Sequence, residues 1–454
     1  MVVVVLLLLI GAGITIFAWS SRPFVIESSP KAGEVNVSAS SSIRLVFSRS
    51  MDHDSVDARL KIEPATEGEH SWEKNSLVFV PNEPWQNGQK ITLHLEAGAR
   101  ASSWLTFSMG GQSWSFTTSD ASLAYLWPSN GPAEIYSLDP VSGVIQQYTQ
   151  GMDILDYSAS RDGKLFYVSA SNAQEGADLY RIDRIKAVSS TDISYLPEKL
   201  LDCGAAQCRN PVVSSDDLTL AYEYLIPTPT GGLGPAQIWT LSLTTLDATQ
   251  AGRTGDETVQ PAWSPTGLLA YYDRTLNGYE VLNLVTQERV LLTNQTGQPG
   301  AWSMDGKYYL APEITYQQAQ GNYETGASHL MRYQIQNNAS EDISGDGAVE
   351  DVEAIHSPDG ELIAFTRKFL DAEHWTLGRQ VWIMNDDGSN PHPITAEADY
   401  NHYDLAWSRD GLELAYERFN QAKISDPPEL WIENVDGTDP VQLVIGGYSP
   451  IWIP

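Results

Sequence analysis

The sequence predicts an all-β protein in which a short β-sandwich precedes a ring of repeated β-sheets. Aromatic residues of the kind enriched in strands are abundant, with 14 Trp and 21 Tyr among 454 residues. Short runs of alternating apolar and polar residues are separated by Gly, Pro and Asn, which is typical of strands joined by turns. After residue 119 a turn motif recurs about every 40 to 55 residues, as expected for repeated units.

The chain begins with an apolar stretch. Residues 2–19 carry no charge, and a helix of this length spans about 27 Å, close to the hydrocarbon thickness of a bilayer. We therefore expect a transmembrane signal-anchor at residues 1–22. A cleavable signal peptide is the alternative, because Ala18-Trp19-Ser20 loosely fits a cleavage site, although no basic segment precedes the apolar run.

Residues 23–118 show the β-sandwich pattern, with alternating runs at 43–47, 77–80 and 91–95. Four segments carry a resemblance to a known family: Ser29-Pro30-Lys31-Ala32-Gly33, Val46-Phe47-Ser48-Arg49-Ser50-Met51-Asp52, Phe79-Val80-Pro81 and Trp114-Ser115-Phe116-Thr117-Thr118. Together they resemble the SbsA-type bacterial Ig-like domain over nearly the whole segment. That resemblance implies a spacer module of an envelope or surface protein, with a binding role as the alternative.

Residues 119–454 contain the repeats. The turns are Ser160-Arg161-Asp162-Gly163, Ser214-Ser215-Asp216-Asp217, Ser264-Pro265-Thr266-Gly267, Ser303-Met304-Asp305-Gly306, Ser357-Pro358-Asp359-Gly360 and Ser408-Arg409-Asp410-Gly411. A Ser or Asp side chain accepts backbone N–H bonds within such a turn, and Gly supplies a positive φ, so two neighbouring strands can reverse direction. Each repeat is therefore predicted to contain two strands joined by a tight turn.

Two later hairpins strengthen the assignment of the repeats. They are Val381–Pro391 and Leu430–Pro440, each with an Asp-Gly turn. With the Ser-x-Asp-Gly turns they resemble the blades of TolB-like (WD40-like) β-propellers, which implies a β-propeller at 119–454 and a scaffold role in an envelope complex.

The ends of this segment predict how the ring closes. The final residues, 449–454, parallel the first strand of a repeat, and Leu123-Ala124-Tyr125 parallels a second strand. We therefore expect residues 123–125 to pair with the strand around Trp452, which removes the open sheet edges. Six internal repeats and this composite blade favour seven blades, with six as the alternative.

Charge and cysteine content narrow the functional classes. A net charge of −31 repels phosphate backbones, so we expect no nucleic-acid partner. Cys203 and Cys208, the only cysteines, are close enough in sequence for a disulfide in an oxidising compartment. Two free thiols are the alternative.

Long insertions between second and third strands suggest a binding face, because binding residues concentrate on loops held by a rigid scaffold. We expect insertions at 226–236, 315–328, 368–378 and 419–428. Their aromatic residues are the candidate binding residues: Tyr316, Tyr323, Phe369, Trp375 and Phe419. The alternative is that these rings pack the loops onto the propeller.

Catalytic and metal signatures are weak. A hydrolase of the prolyl oligopeptidase kind needs a Gly-x-Ser-x-Gly elbow, which the sequence lacks. We therefore expect that the protein is not an enzyme and binds no cofactor. The acidic stretch with Asp342, Asp346, Glu350 and Asp351 offers the oxygen ligands that calcium prefers, but not in EF-hand spacing. A solvated acidic turn is the favoured interpretation.

The sequence thus predicts a membrane-anchored extracytoplasmic binding or scaffold protein, at the cell surface or in the periplasm. Its partner would be an envelope protein, a peptide or a glycan. The alternatives are a propeller hydrolase or lyase with its site at the central channel, marked by a metal or clustered carboxylates at the channel mouth, and the ectodomain of a membrane sensor.

Overall fold

The computed structural model describes residues 22–34, 37, 41–82, 85–86, 88–102, 108–118, 121–189, 196–318, 324–345 and 347–454. The chain divides into two compact units, one up to residue 120 and one from Ala121 to Ile453. Regular structure in both is almost entirely β-strand. The helices of the described residues are α1 (His53–Asp57) and α2 (Arg184–Ser189).

The predicted membrane helix is corrected here. Within the described ranges no helix is long and apolar enough to cross a membrane, since α1 and α2 have five and six residues and a span needs roughly 20. The predicted span at residues 1–22 falls almost entirely outside the described residues. The transmembrane part of the fold prediction is therefore not supported.

The first unit is a two-sheet sandwich. Its strands are β1 (Val25–Ser29), β2 (Ile43–Phe47), β3 (Leu60–Glu63), β4 (Gly68–Glu73), β5 (Ser76–Pro81), β6 (Lys90–Leu95) and β7 (Gln112–Thr117). One sheet has the order β1-β2-β5-β4 and the other β3-β6-β7. Alternate residues such as Leu45, Phe47 and Leu93 point into a shared core, because successive side chains of a strand face opposite sides of the sheet.

The second unit consists of seven four-stranded blades. Blade 1 contains β8 (Ser122–Trp127), β9 (Glu134–Leu138), β10 (Ile145–Gln147) and β35 (Tyr448–Ile453); blade 2 contains β11 (Ile154–Ala159), β12 (Leu165–Ser171), β13 (Ala177–Asp183) and β14 (Glu198–Leu201); blade 3 contains β15 (Gln207–Val213), β16 (Thr219–Leu225), β17 (Gln237–Ser242) and β18 (Ala248–Gln250); blade 4 contains β19 (Thr258–Trp263), β20 (Leu268–Asp273), β21 (Gly278–Asn283) and β22 (Arg289–Thr293).

The remaining blades continue the series. Blade 5 contains β23 (Ala301–Trp302), β24 (Tyr308–Gln318), β25 (Glu324–Gln334) and β26 (Ala339–Asp342); blade 6 contains β27 (Val349–His356), β28 (Leu362–Phe369), β29 (Gln380–Asn385) and β30 (His392–Pro393); blade 7 contains β31 (Tyr400–Trp407), β32 (Glu413–Asn420), β33 (Glu429–Asn434) and β34 (Val441–Ile445). The first strand of every blade contacts the first strands of both neighbouring blades. This closed ring of first strands defines a propeller around a central channel.

Blade 1 combines strands from both ends of the unit. β35 pairs antiparallel with β8, and Trp452 lies opposite Leu123. The pairing predicted from the sequence between 123–125 and the strand around Trp452 is therefore confirmed. Blades 2 and 3 are also joined through one parallel contact between Ala177 and Gln207.

The repeated turns join the first and second strands as expected. In five of them the Ser hydroxyl donates to the Asp carboxylate two residues later, at 2.6 to 2.8 Å. The Gly adopts a positive φ, for example 71° at Gly411, and Asp217 takes the same conformation where Gly is missing. The turns are structural elements, as their chemistry predicts.

Buried and partly buried tryptophans connect consecutive blades. The indole N–H groups of Trp263, Trp302, Trp407 and Trp452 donate to backbone carbonyls of Val212, Ala262, Ile355 and Ala406, respectively, at 3.1 to 3.3 Å. In each case the acceptor lies directly before the residue that matches Trp in the preceding blade. Four of the seven blades therefore use the same residue type to bond to the preceding blade.

Candidate functional site

One face of the propeller carries the long connections between second and third strands. These connections and the starts of the first strands lie on the same side of a blade, which we call the long-loop face. Residues 226–236, 370–379 and 421–428 are loops there, close to the predicted boundaries. The insertion predicted as a loop at 315–328 is instead mostly a continuation of β24 and β25, because its residues pair in register.

A cavity of about 630 Å³ opens on this face. Its wall combines the 421–428 loop, the start of the β8–β9 connection and the first strands of blades 7 and 1. The lining residues are Ser129, Asn130, Tyr403, Asp404, Glu417, Ser425, Asp426, Pro427, Pro428 and Tyr448. The cavity therefore lies at the channel mouth and is bounded by polar, acidic and aromatic side chains.

A β-bulge repeated in the first strands positions several of these side chains. Asn210, Gln260, Glu353, Asp404 and Ser449 each have a φ near +50 to +60° and each lies at a shift in strand register. A bulge turns the local side chain out of the regular alternation. All five residues precede the turn Ser, or its equivalent, by four positions, so the ring brings them to the same level of the channel.

Carboxylates link the bulges of adjacent blades. Glu417 Oε2 accepts the backbone N–H of Ser449 at 3.3 Å, and its Oε1 accepts the Tyr403 hydroxyl. In the same way Glu223 accepts the N–H of Gln260 at 2.8 Å. The backbone N–H of Asp404 donates to Glu353. The channel mouth is thus held together by acidic side chains.

Three of these carboxyl groups influence one another. Burial, followed by repulsion from Asp404, raises the pKa of Glu353 to about 7. Burial also raises the pKa of Glu417 to about 7, with further contributions from Asp404 and Glu353. Loss of solvation by the surrounding protein raises the pKa of Asp404 as well. Close to neutral pH, Glu353 and Glu417 are therefore present in both protonated and ionised forms.

One oxygen of this cluster has no hydrogen-bond partner. Glu353 Oε2 is buried and no described group bonds to it. Tyr157 closes the neighbouring side, since its hydroxyl donates to the carbonyl of Ser449 at 2.7 Å. Within the described ranges no three His, Cys, Asp or Glu residues are arranged to hold a metal ion, so the cluster does not have the form of a metal centre.

The predicted aromatic residues divide into two groups. Tyr316 and Trp375 are exposed, at 59% and 53%, and Lys368 Nζ lies 4.8 Å from the centre of the Trp375 ring. Phe369 and Phe419 instead pack edge-on against Trp382 and Tyr403, respectively, with ring centres 5.7 and 5.6 Å apart. Tyr323 lies outside the described residues.

The described calcium candidates are engaged in ion pairs. Asp342 binds His329 at 2.8 Å, Glu350 binds Arg379 at 2.8 Å, and Asp351 binds Arg367 at 2.6 Å. Asp346 lies outside the described residues. Each described candidate therefore already has a basic partner within the protein.

The two cysteines are joined by a disulfide between Cys203 and Cys208. Cys203 lies in the connection from β14 to β15, where its backbone N–H donates to Asp178 at 2.9 Å, and Cys208 lies in β15. The disulfide links the connection between blades 2 and 3 to the first strand of blade 3.

The cavity residues Tyr403, Asp404, Glu417 and Tyr448 were not among the predicted site residues. The sequence does contain a signal for Asp404. The position four residues before each turn Ser is polar or acidic in most repeats, including Asp156, Glu353 and Asp404. A strand position facing the core of a sheet is usually apolar, so a polar residue repeated at this position could have indicated the channel wall.

Comparison with known proteins gives the following similarities. Residues 20–118 match the family of bacterial Ig-like domains. A search of curated protein sequences found no match. Similar solved structures include TolB from Acinetobacter baumannii, with 11% identity, 95% of this chain and 99% of that chain covered, and a TM-score of 0.44. A second is the β-propeller domain of the Trilobed protease from Pyrococcus furiosus, with 13% identity, 64% of this chain and 84% of that chain covered, and a TM-score of 0.46. A third is oligogalacturonate lyase from Vibrio parahaemolyticus, with 15% identity, 65% of this chain and 74% of that chain covered, and a TM-score of 0.42. At these identities the similarity concerns the fold alone.

Proposed function

We propose that this chain is an extracytoplasmic binding protein whose propeller takes a segment of an envelope protein, peptide or glycan into the cavity at the channel mouth, and that it catalyses no reaction. The observation that carries this proposal is the cavity itself. Its volume of about 630 Å³ lies in the range of built ligand sites. Two loops and the first strands of two blades are needed to form it.

The charge of the cavity supports a particular kind of partner. Asp404, Glu417 and Asp426 line it, and no Lys or Arg is among the lining residues. A positively charged group would neutralise these carboxylates and could pack against the rings of Tyr403 and Tyr448. A lysine or arginine side chain of a peptide or protein therefore fits better than an acidic glycan or a phosphate.

Two observations support a location outside the cytoplasm. The Cys203–Cys208 disulfide is of a kind that persists in oxidising compartments. The match of residues 20–118 to bacterial Ig-like domains agrees with an envelope or surface protein.

A second candidate function is a hydrolase or lyase with its active site at the same cavity. Clustered carboxylates at the channel mouth were the expected sign of this alternative. Buried carboxyl groups with a pKa of about 7, as at Glu353 and Glu417, suit general acid catalysis. The hydrogen bonds of Glu417 favour the binding role, because both of its oxygens accept bonds from the protein, from Tyr403 and Ser449. Such a group is held in place by the scaffold, which leaves Glu353, whose Oε2 has no described partner, as the candidate acid of the enzymatic alternative.

Calorimetry on the full chain tests the proposal. The ligands are a lysine-containing, an arginine-containing and a glutamate-containing tripeptide amide and a neutral oligosaccharide. We expect the two basic peptides to bind and Asp404→Asn to weaken them about tenfold, since it removes one charge of the cavity wall. Asp436→Asn is the matched control, because Asp436 lies in the β33–β34 turn and lines no part of the cavity.

The outcomes separate the two candidate functions. Equal binding of basic and acidic peptides, or an Asp404→Asn variant with unchanged affinity, would contradict the proposed charge recognition. Turnover of a glycoside or peptide substrate that is lost in Glu353→Gln would replace the binding function by the enzymatic one.

A further inference from the structure

We propose that blade 5 receives an extended, basic segment of a partner protein as an added β-strand along the free edge of β24. The surface is the part of the β24–β25 hairpin that projects beyond its blade, Glu313–Gln318 and Glu324–His329, which we call the arm. This inference goes beyond the proposed cavity function and does not depend on it.

The arm is a two-stranded extension without flanking strands. β24 and β25 have 11 residues each, whereas every other described strand has eight or fewer. β23 pairs only with Tyr309 and Leu310, and β26 pairs only with residues 331–334. The six cross-strand pairs from Glu313 and His329 outward therefore have no third described strand on either side.

The direction of the backbone groups identifies the free edge. The carbonyl of Pro312 accepts bonds from Asn294 Nδ2 at 2.8 Å and Thr296 Oγ1 at 2.6 Å, so it points away from β25. The N–H of Ile314 bonds to the carboxylate of its neighbour Glu313 at 2.7 Å. Backbone direction alternates along a strand, so Tyr316 and Gln318 also direct their N–H and C=O groups away from β25.

Beyond Ile314, whose N–H already bonds to Glu313, this edge lacks the usual protection against strand addition. Exposed edges are usually protected by Pro, Lys or a bulge. The segment Glu313-Ile314-Thr315-Tyr316-Gln317-Gln318 contains neither Pro nor Lys, and its register with β25 is regular. An isolated two-stranded ribbon is only marginally stable in water, and a third strand stabilises it. The edge is therefore a template for a partner strand.

One face of the arm adds side-chain contacts. Ile314 and Tyr316 are exposed, at 36% and 59%, and Gly326 lies directly opposite Tyr316. Ala327 and His329, on the other strand, are buried. An added strand can therefore place apolar side chains at alternate positions beside Ile314 and Tyr316, because alternate residues share a face.

The negative charge of the arm and of the chain favours a basic partner segment. Between Lys307 and Arg332 the sequence contains no Lys or Arg, but it contains Glu313 and Glu324, in a chain of net charge −31. A basic segment is attracted by this charge, while an acidic one is repelled. The expected occupant is an extended segment in which basic and apolar residues alternate.

The experiment is hydrogen exchange of the full chain with and without a heptapeptide of alternating lysine and valine. We expect slower exchange in 314–318. Tyr316→Pro removes one outward N–H that β25 does not use, so the arm itself is retained, and binding should weaken about fivefold through the lost hydrogen bond. Tyr316→Ala keeps that N–H and is the matched control for loss of the ring.

Each outcome either supports or overturns strand addition to β24. Protection of 314–318 that is reduced more by Tyr316→Pro than by Tyr316→Ala supports strand addition, and an N-methylated form of the peptide should then give no protection. Absence of protection, or equal protection in wild type and Tyr316→Pro at an unchanged melting temperature, overturns it. Protection that arises without peptide and grows with protein concentration also overturns it, because the occupant would be a second copy of the chain. Since none of these variants touches the cavity, the calorimetric result on Asp404→Asn is independent.

Discussion

Trp452 donates its indole N–H to the carbonyl of Ala406 at 3.1 Å and so joins β35, the first strand of blade 1, to β31, the first strand of blade 7. Trp452 also lies opposite Leu123 in the same blade. One side chain therefore takes part in both contacts that close the ring, one within a blade and one between blades.

Removal of the closing strand should destabilise the propeller. Deleting residues 448–454 exposes the edge of β8 and removes the buried Trp452 and Ile453. We expect a loss of about 4 kcal/mol or more and a fall in melting temperature of roughly 10 °C or more, measured by scanning calorimetry. The control is Val141→Ser in the β9–β10 turn, where the side chain is 95% exposed. An unchanged melting temperature after the deletion would contradict closure by β35.

A single tie between blades can be tested by Trp407→Phe. The change removes the indole N–H that bonds to the carbonyl of Ile355 at 3.3 Å and leaves that carbonyl without its partner. The expected cost is about 1 to 3 kcal/mol in the free energy of unfolding, measured in urea. Trp375→Phe is the matched control, because Trp375 is 53% exposed, and it should change stability by less than about 0.5 kcal/mol. Equal effects of the two variants would argue against the tie.

The contribution of three buried glutamates to stability should decrease as the pH rises from about 5 to 8, whereas that of His402, whose pKa burial lowers to about 4, should increase up to about pH 6.5. The pKa values of Glu353, Glu417 and Glu433 are raised from 4.5 to about 7 by burial, so the folded state holds their protons to higher pH than the unfolded state. Protons therefore stabilise the fold, and this stabilisation is complete below 4.5 and lost as the pH passes about 7. Thermal unfolding at a series of pH values measures it.

Glu417→Gln isolates one of these groups. The variant should be more stable than wild type at pH 8 by about 2 kcal/mol and should gain little at pH 5, where wild-type Glu417 is protonated. Asp305→Asn has the opposite sign, because Lys307 lowers the pKa of Asp305 to about 2, so its ionised form favours folding above pH 3.8. A Glu417→Gln variant that is less stable than wild type at pH 8 would mean that the ionised carboxylate supports the fold.

The disulfide should make a moderate contribution. Replacing Cys203 and Cys208 together by Ser opens a loop with a sequence separation of five residues, for which the chain-entropy model gives a loss of about 2 kcal/mol. Urea unfolding of the double variant and of wild type measures the difference. Thiol titration of the unfolded wild-type chain without reductant should detect no free thiol, and detection of two would contradict the bond.

Much of the fold is predictable from local chemistry. The Ser-x-Asp-Gly turns fix where first and second strands reverse, because the Ser hydroxyl and the Gly conformation act within a few residues. The composite blade was predicted from the similarity of 449–454 to a first strand, and the register of Trp452 with Leu123 confirms it. The arm was misassigned as a loop at 315–328, because its polar sequence hides regular pairing across the hairpin.

The candidate site was less accessible to sequence reasoning. Glu353 and Asp404 belong to different blades, and their sequence neighbours do not indicate that the two carboxyls meet. The aromatic residues proposed for binding illustrate the same limit, since Phe369 and Phe419 pack on the scaffold while Tyr316 and Trp375 are exposed.

The sequence by itself determined the all-β class, the Ig-like segment, the turns and the partners of the closing strands, because these follow from periodicity, from repeated motifs, from a family resemblance and, for the turns, from interactions between near neighbours. Only the tertiary structure decided that Tyr403, Asp404 and Glu417 share one cavity and that burial shifts their ionisation. The bulge at Asp404 places Tyr403 and Asp404 at the cavity wall, and β32 holds Glu417 beside Tyr403. Solvation and proximity of charges are properties of the assembled ring.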